Sequence, residues 1–168
     1  MTSSPEVERL IGRFGLQAHP EGGYYTETYR SGENVLREGQ AAARAASTAI
    51  YYLLNDGAYS AWHRIASDEM WHFYAGTPLL IHVIDSTGQR LTHMLGNPLA
   101  VDEASFQAVV PAGCWFAAEL ADPSGYALAG CTVAPGFEFS EFELADAADL
   151  LRRYPAHAAL IQRLGAAA

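Results

Sequence analysis

The chain has 168 residues, half of them apolar and 17% charged, which suits one globular domain spanning 1–168 with a sizeable core. Its net charge of −9 and its scattered Lys and Arg, ten in all, exclude a phosphate-tracking surface and with it a nucleic-acid partner. Met1-Thr-Ser-Ser-Pro-Glu6 has no export-signal pattern, no apolar run nears the roughly 20 residues of a membrane span, and Cys114 and Cys131 match neither a disulfide framework nor a zinc motif. A cytoplasmic protein with no membrane partner is expected.

The first predicted element is a short helix over 5–14. Ser4 caps it, Pro5 suits its first turn, and Gly15 follows the apolar Leu10, Ile11 and Phe14. His19-Pro-Glu-Gly-Gly23 is a turn, because its two glycines reach backbone angles closed to other residues. Such a turn either feeds an edge strand or lies across a barrel mouth, where Glu21 or Tyr25 would complete a pocket. Tyr24 to Arg30, rich in Tyr and Thr, reads as a strand. Residues 31–46 are polar and alanine-rich without a period, and are expected to form a loop.

Eight more strands are predicted over 47–54, 59–65, 70–75, 79–85, 90–95, 106–110, 114–120 and 126–133. Turn signals such as Asn55-Asp-Gly57, Gly76-Thr-Pro78 and Pro111-Ala-Gly113 separate them. Their spacing is that of a sandwich or barrel, and no long helical pattern interrupts them, so a parallel α/β architecture is excluded. Residues 146–164 return to helical spacing with Leu150, Leu151, Leu160 and Ile161. The class is all-β, with a barrel core of about 22–140 between short terminal helices.

The chemistry concentrates in Gly57 to Gly76. His63 and Glu69, six residues apart on strands joined by a tight turn, would meet inside a barrel. Such a pair suits a metal, a proton relay or a polar ligand; its bland alternative is a hydrogen-bonded surface pair. Gly57, His63, Glu69 and Gly76 resemble the first cupin motif, G-x5-H-x-H-x3-4-E-x6-G, with Ile65 at the second histidine position. Pro111-Ala-Gly113-Cys-Trp-Phe116 resembles the core of the second motif, with Phe116 where a histidine stands. Gly22-Gly-Tyr-Tyr25, Ser47 to Leu54, Trp62 to Tyr74, Val110 to Phe116 and Cys131 to Phe137 together resemble the small, largely bacterial fifth cupin subfamily, a domain of unknown function. The resemblance runs from about Leu10 to Leu144. It implies a cupin double-stranded β-helix, that is, a jelly-roll barrel, usually a homodimer, and it supplies no reaction.

Metal-binding cupins usually offer three histidines and a glutamate. With two of those positions apolar, no bound metal and no other cofactor is expected. His72 does not substitute, since strand alternation puts Trp71 and Phe73 on the Glu69 face and His72 on the other. His63 and Glu69 remain as a metal-independent acid/base pair, with Glu69 orienting His63 as the proton-transfer group. The pair is similar to that of metal-free cupin epimerases of deoxysugar nucleotides, where a tyrosine returns the proton; here Tyr52, Tyr74 or Tyr126 would serve. Trp71, Phe73, Trp115 and Phe116 would supply an apolar wall for a ring, or simply fill the core. A four-residue turn from Asp85 to Arg90 would set His82 opposite His93, as a surface contact or a paired-histidine metal site; His19 and His157 are expected to be solvated. Three functions compete: an epimerase or isomerase acting on a sugar-like small molecule, a non-enzymatic ligand-binding cupin, and a metal-dependent oxygenase or lyase, against which Ile65 and Phe116 count.

Overall fold

A computed structural model describes residues 4–166. Its strands are β1 (Gln17–Ala18), β2 (Tyr24–Arg30), β3 (Asn34–Leu36), β4 (Ala43–Ala45), β5 (Thr48–Asn55), β6 (Tyr59–Arg64) and β7 (Asp68–Gly76). They continue as β8 (Leu79–Ile84), β9 (Arg90–Leu95), β10 (Gln107–Val110), β11 (Trp115–Leu120), β12 (Tyr126–Ala134) and β13 (Glu143–Leu144). Three helices flank them: α1 (Pro5–Phe14), α2 (Ala147–Arg153) and α3 (Ala158–Arg163).

Two antiparallel sheets face each other as a jelly-roll barrel, one ordered β1-β2-β5-β12-β7-β10 and the other β13-β6-β11-β8-β9. The chain changes sheets at β5–β6, β6–β7 and β7–β8, and again around β10, β11 and β12. Residues close in sequence, such as His63 on β6 and Glu69 on β7, therefore come from opposite walls.

Side-chain alternation along each strand sorts the apolar residues into two environments. Tyr52, Leu54, Trp71, Ala129 and Cys131 of one sheet meet Ile81, Val83, Phe116 and Ala118 of the other in the central core. The odd-numbered neighbours on β5 face outward: Leu53, with Leu128, packs beneath Val7 and Leu16, and Tyr51 joins Leu10, Ile11 and Phe14 there. Helix α1 forms where the sequence places it, with Ser4 Oγ accepting from the Val7 N–H at 3.3 Å and Gly15 in the left-handed region. The other sheet's outer face is covered by Leu150, Leu160, Ile161 and Leu164 over Trp62 and Trp115.

Three local expectations are corrected. Residues 31–46 are not a plain loop: β3 pairs with β4 in register Asn34↔Ala45 to Leu36↔Ala43. The hairpin buries little beyond Arg44 and Ala45, so it leaves no alternating apolar stripe to read. The C-terminal helix is divided, because Pro155 lacks an N–H and its ring blocks the preceding helical turn; a 3-10 turn over Pro155–His157 separates α2 from α3. Finally, the β8–β9 loop runs over residues 85–89, with Asp85 Oδ1 accepting from the Thr87 and Gln89 N–H groups, so Ile84 pairs with Arg90. That one-residue difference sets His82 opposite Thr92 and His93 opposite Ile81, and a paired-histidine site is not formed. His82 instead bonds Thr92 Oγ1 and Glu119, each at 2.9 Å, and His157 contacts the Gly88 carbonyl at 2.9 Å rather than standing in solvent.

Candidate functional site

The site is built from a turn, β6 of one sheet, and β1, β2, β5, β7 and β12 of the other. His19-Pro-Glu-Gly-Gly23 closes on itself, with the His19 N–H donating to the Gly23 carbonyl at 2.9 Å and the Gly22 N–H to the His19 carbonyl at 3.0 Å. Gly22 and Gly23 adopt φ of 111° and 75°, and a Cβ on Gly22 would stand 2.1 Å from the Tyr59 carbonyl oxygen. The turn thus lies flat against β6, where the Ala61 N–H donates to the Glu21 carbonyl at 2.8 Å. This drives the Glu21 side chain into the barrel mouth.

Glu21 is the partner of His63. Its Oε2 lies 2.9 Å from His63 Nε2, and its Oε1 accepts from Ser60 Oγ at 2.8 Å. His63 Nδ1 lies 2.7 Å from the Ala61 carbonyl, which can only accept, so that nitrogen carries a proton. A carboxylate also only accepts, so Nε2 carries the second. Burial opposes charge on both residues, yet their mutual attraction prevails: the Glu21 carboxyl is held below its usual range and the His63 imidazolium above its own. His19, 3.8 Å from Glu21, is pushed down by its own burial and by the His63 charge, against the pull of Glu21.

Glu69 occupies a different environment. It faces the Glu21–His63 pair without bonding His63, and the Cys131 thiol donates to it. Burial raises its carboxyl to about 7, with Glu21 adding to the rise and His63 and Cys131 opposing it. Cys131 is pushed well above the ordinary thiol range, first by burial and then by Glu69 and Glu21. Two carboxyls of one pocket are therefore driven apart, one fixed as an anion and one titrating near neutrality.

These groups border a cavity of about 160 Å³ that opens to solvent. Of the residues expected at a site, Glu21, Tyr25, Tyr52, His63, Glu69 and Trp71 line it. Phe116 does not; it packs on the His63 ring at 4.0 Å between centroids, fully buried beneath it. Phe73 lies in the core beside the cavity. Tyr74 and Tyr126 point away, onto the outer face of the six-stranded sheet, where Tyr74 sits over Gly130 and Tyr126 packs near α1. Tyr52 is the remaining tyrosine, and its hydroxyl donates to the Gly22 carbonyl. His72 bonds Thr132 Oγ1 at 2.8 Å, away from the cavity as alternation requires. The sequence reading missed Phe137, Phe139 and Phe142, which wall the mouth, and the Arg30–Glu27–Glu138 ion cluster at its rim. Three phenylalanines following the Pro135-Gly136 turn were the available signal.

The family model described as Cupin superfamily (DUF985) matches residues 8–145. The chain is a cupin. A Shewanella oneidensis protein solved by X-ray crystallography is similar to this cupin at 38% identity, with a TM-score of 0.85 and 98% of each chain covered. A hypothetical protein from Leishmania major gives 35% identity and a TM-score of 0.87, covering 99% of this chain and 100% of that one. A Bacillus subtilis oxalate decarboxylase, studied for its Mn(II) centres, is 14% identical with a TM-score of 0.57, over 92% of this chain and 39% of that one; the likeness is one of fold. A comparison with curated proteins returned no match.

The superfamily's metal does not fit these residues. Ile65 and Phe116 stand at two ligand positions, and His63 Nε2 is engaged by Glu21 at 2.9 Å, so the four-ligand set is not present. Among the described residues, no group of three or more His, Cys, Asp or Glu side chains is arranged to hold a metal ion. Among them, also, no helix is long and apolar enough to cross a membrane.

Proposed function

We propose that this cupin binds a sugar-like polar small molecule in its barrel and acts as a metal-independent isomerase, with Glu69 as the proton carrier. The observation that supports this most is the buried Glu69 carboxyl, poised at about 7 on the cavity wall beside a fixed Glu21–His63 ion pair. A carboxyl of that strength is half ionised at neutral pH and can both take and return a proton. His63 is the preorganised positive charge beside it rather than the base, because its proton sites are already filled.

One carboxyl suits a shift between adjacent carbons better than inversion, which needs a group on each face. On a 2-hydroxy aldehyde, Glu69 would take the C2 proton while the C–H electron pair forms a C1=C2 bond and the C1=O π pair moves onto O1, giving an enediolate. The proton returns at C1 as the O2 proton passes to O1, giving the ketone. Of Tyr52, Tyr74 and Tyr126, only Tyr52 lines the cavity, and its hydroxyl is held by the Gly22 carbonyl rather than poised as a second acid. The same fact lends support to a second reading, a ligand-binding cupin without turnover.

The test is exchange of substrate C–H protons in deuterated water, followed by NMR for small hydroxy aldehydes and ketoses. Wild type should exchange them, and Glu69→Gln should slow the exchange by about 10²-fold or more. Equal exchange in both would refute the role of Glu69; tight binding without exchange would favour the ligand-binding reading.

A homodimer belongs to the same proposal. Among the described residues, β1 pairs with Tyr24 and Tyr25 of β2 and no strand neighbours the outer edge from Thr26 to Arg30, which suits that edge to pairing with a second copy. Sedimentation giving only monomer at micromolar concentration would refute it. Two free thiols, Cys114 and Cys131, support a reducing compartment such as the cytoplasm.

A further inference from the structure

The charge balance of the cavity narrows its ligand. Glu21, Glu27, Glu69 and Glu138 line it against Arg30 and His63 as cations. Both cations are already paired with carboxylates. Arg30 Nε and Nη2 bond Glu27 and its Nη1 bonds Glu138, each at 2.9 Å, while Nη2 also reaches the Phe137 carbonyl at 3.0 Å. The two N–H groups of His63 are spent on Glu21 and on the Ala61 carbonyl. A phosphate or carboxylate would thus lose its water shell for a wall that is net negative. This weighs against nucleotide sugars and sugar acids alike.

Two further observations point to what would be welcome. Six aromatic side chains, Tyr25, Tyr52, Trp71, Phe137, Phe139 and Phe142, line the same cavity. Their ring faces attract cations, and do so more strongly where water is excluded. In addition, Trp71 is 1% exposed and its indole Nε1–H has no hydrogen-bond partner. A buried donor without an acceptor is costly, and here it belongs to a cavity-lining side chain. The ligand that answers both features carries a positive charge and, beside it, an uncharged oxygen.

We infer that the cavity takes a small hydroxylated organic cation, an amino alcohol or amino sugar, with its ammonium group against Glu69 and the aromatic wall and its oxygen accepting from Trp71 Nε1–H. The inference rests on the reading that Glu69 meets a ligand in this cavity, and it deepens that reading by setting the ligand's charge.

Choline and its uncharged isostere 3,3-dimethyl-1-butanol separate charge from shape, and tetramethylammonium separates the cation from the oxygen. Calorimetric titration of the full-length protein at pH 8 should give choline binding at least about tenfold tighter than the alcohol. Glycolate, an anion of similar size, should bind more weakly than either. Glu69→Gln should shrink the choline preference to within about threefold. Trp71→Phe keeps a ring but removes the donor, so it should weaken choline by about fivefold and leave tetramethylammonium unchanged. If Trp71→Phe does not fold, the isostere comparison in wild type still decides. The inference is overturned if the alcohol or glycolate binds as tightly as choline, or if no cation binds while a neutral sugar still exchanges protons through Glu69. In the latter case the isomerase reading survives alone; if Glu69→Gln leaves both binding and exchange unchanged, both fall.

Discussion

Replacing Glu69 by Gln should stabilise the protein, by an amount that grows as pH rises from the ordinary carboxylate range to neutrality. The buried carboxyl titrates near 7 in the folded protein against an ordinary value of 4.5. A raised folded value means that the protonated form favours the fold; this contribution is full below 4.5 and is lost as pH rises through 7. The difference of 2.5 units corresponds to about 3 kcal/mol of destabilisation in wild type above pH 7. An amide of the same shape never ionises, and its carbonyl can still accept from the Cys131 thiol. The variant should therefore match wild type near pH 4, gain about 1 kcal/mol at pH 5, and gain about 3 kcal/mol at pH 7 and above. For a chain of this length, that upper gain is roughly 6–12 °C in melting temperature. Urea unfolding of both proteins from pH 4 to pH 8 provides the measurement. A difference that does not change with pH, or a variant less stable than wild type at pH 8, would refute the environment assigned to Glu69.

Glu21→Gln should act with the opposite sign, leaving the His63 imidazolium buried without its anion and costing about 3–5 kcal/mol near pH 6. Glu21 contributes above the ordinary carboxylate range because its folded value is lowered, and His63 contributes below 6.5 and loses that contribution as pH rises through its raised folded value. Imidazole NMR should accordingly find His63 titrating below 6.5 in the variant; a value still above it would remove Glu21 as the cause. Gly22→Ala should cost at least about 2 kcal/mol, because the new Cβ would meet the Tyr59 carbonyl at 2.1 Å, and an unchanged melting curve would contradict the close turn. Protein purified without chelators should hold well under one equivalent of iron, manganese, nickel or zinc, and stoichiometric metal lost on His63→Ala would overturn that expectation.

Much of the fold was legible along the chain, since strand alternation and turn chemistry are local properties. Ser4, Pro5 and Gly15 mark α1 at both ends, and Tyr24–Arg30 is a strand at the bounds its composition predicts. The cupin spacing from Gly57 to Gly76 identified His63 and Glu69, and alternation alone placed Trp71 with them and His72 outside. What stayed hidden was set by register and by distance in sequence. One extra loop residue between Ile84 and Arg90 was enough to part His82 from His93, because a slip of one reverses every side chain. The same limit left Tyr52, Tyr74 and Tyr126 undistinguished until β5, β7 and β12 were paired. The largest change concerns His63 itself. Spacing offers Glu69 as its carboxylate, but six residues across a tight turn bring Glu69 only to the facing wall. The direct partner, Glu21, arrives from 42 positions away because two glycines let the N-terminal turn lie against β6. Residue spacing names the chemical groups that meet in the barrel; which carboxyl is paired and which is left to titrate follows from the packed fold, because burial and ion pairing depend on separations in space that no spacing along the chain records.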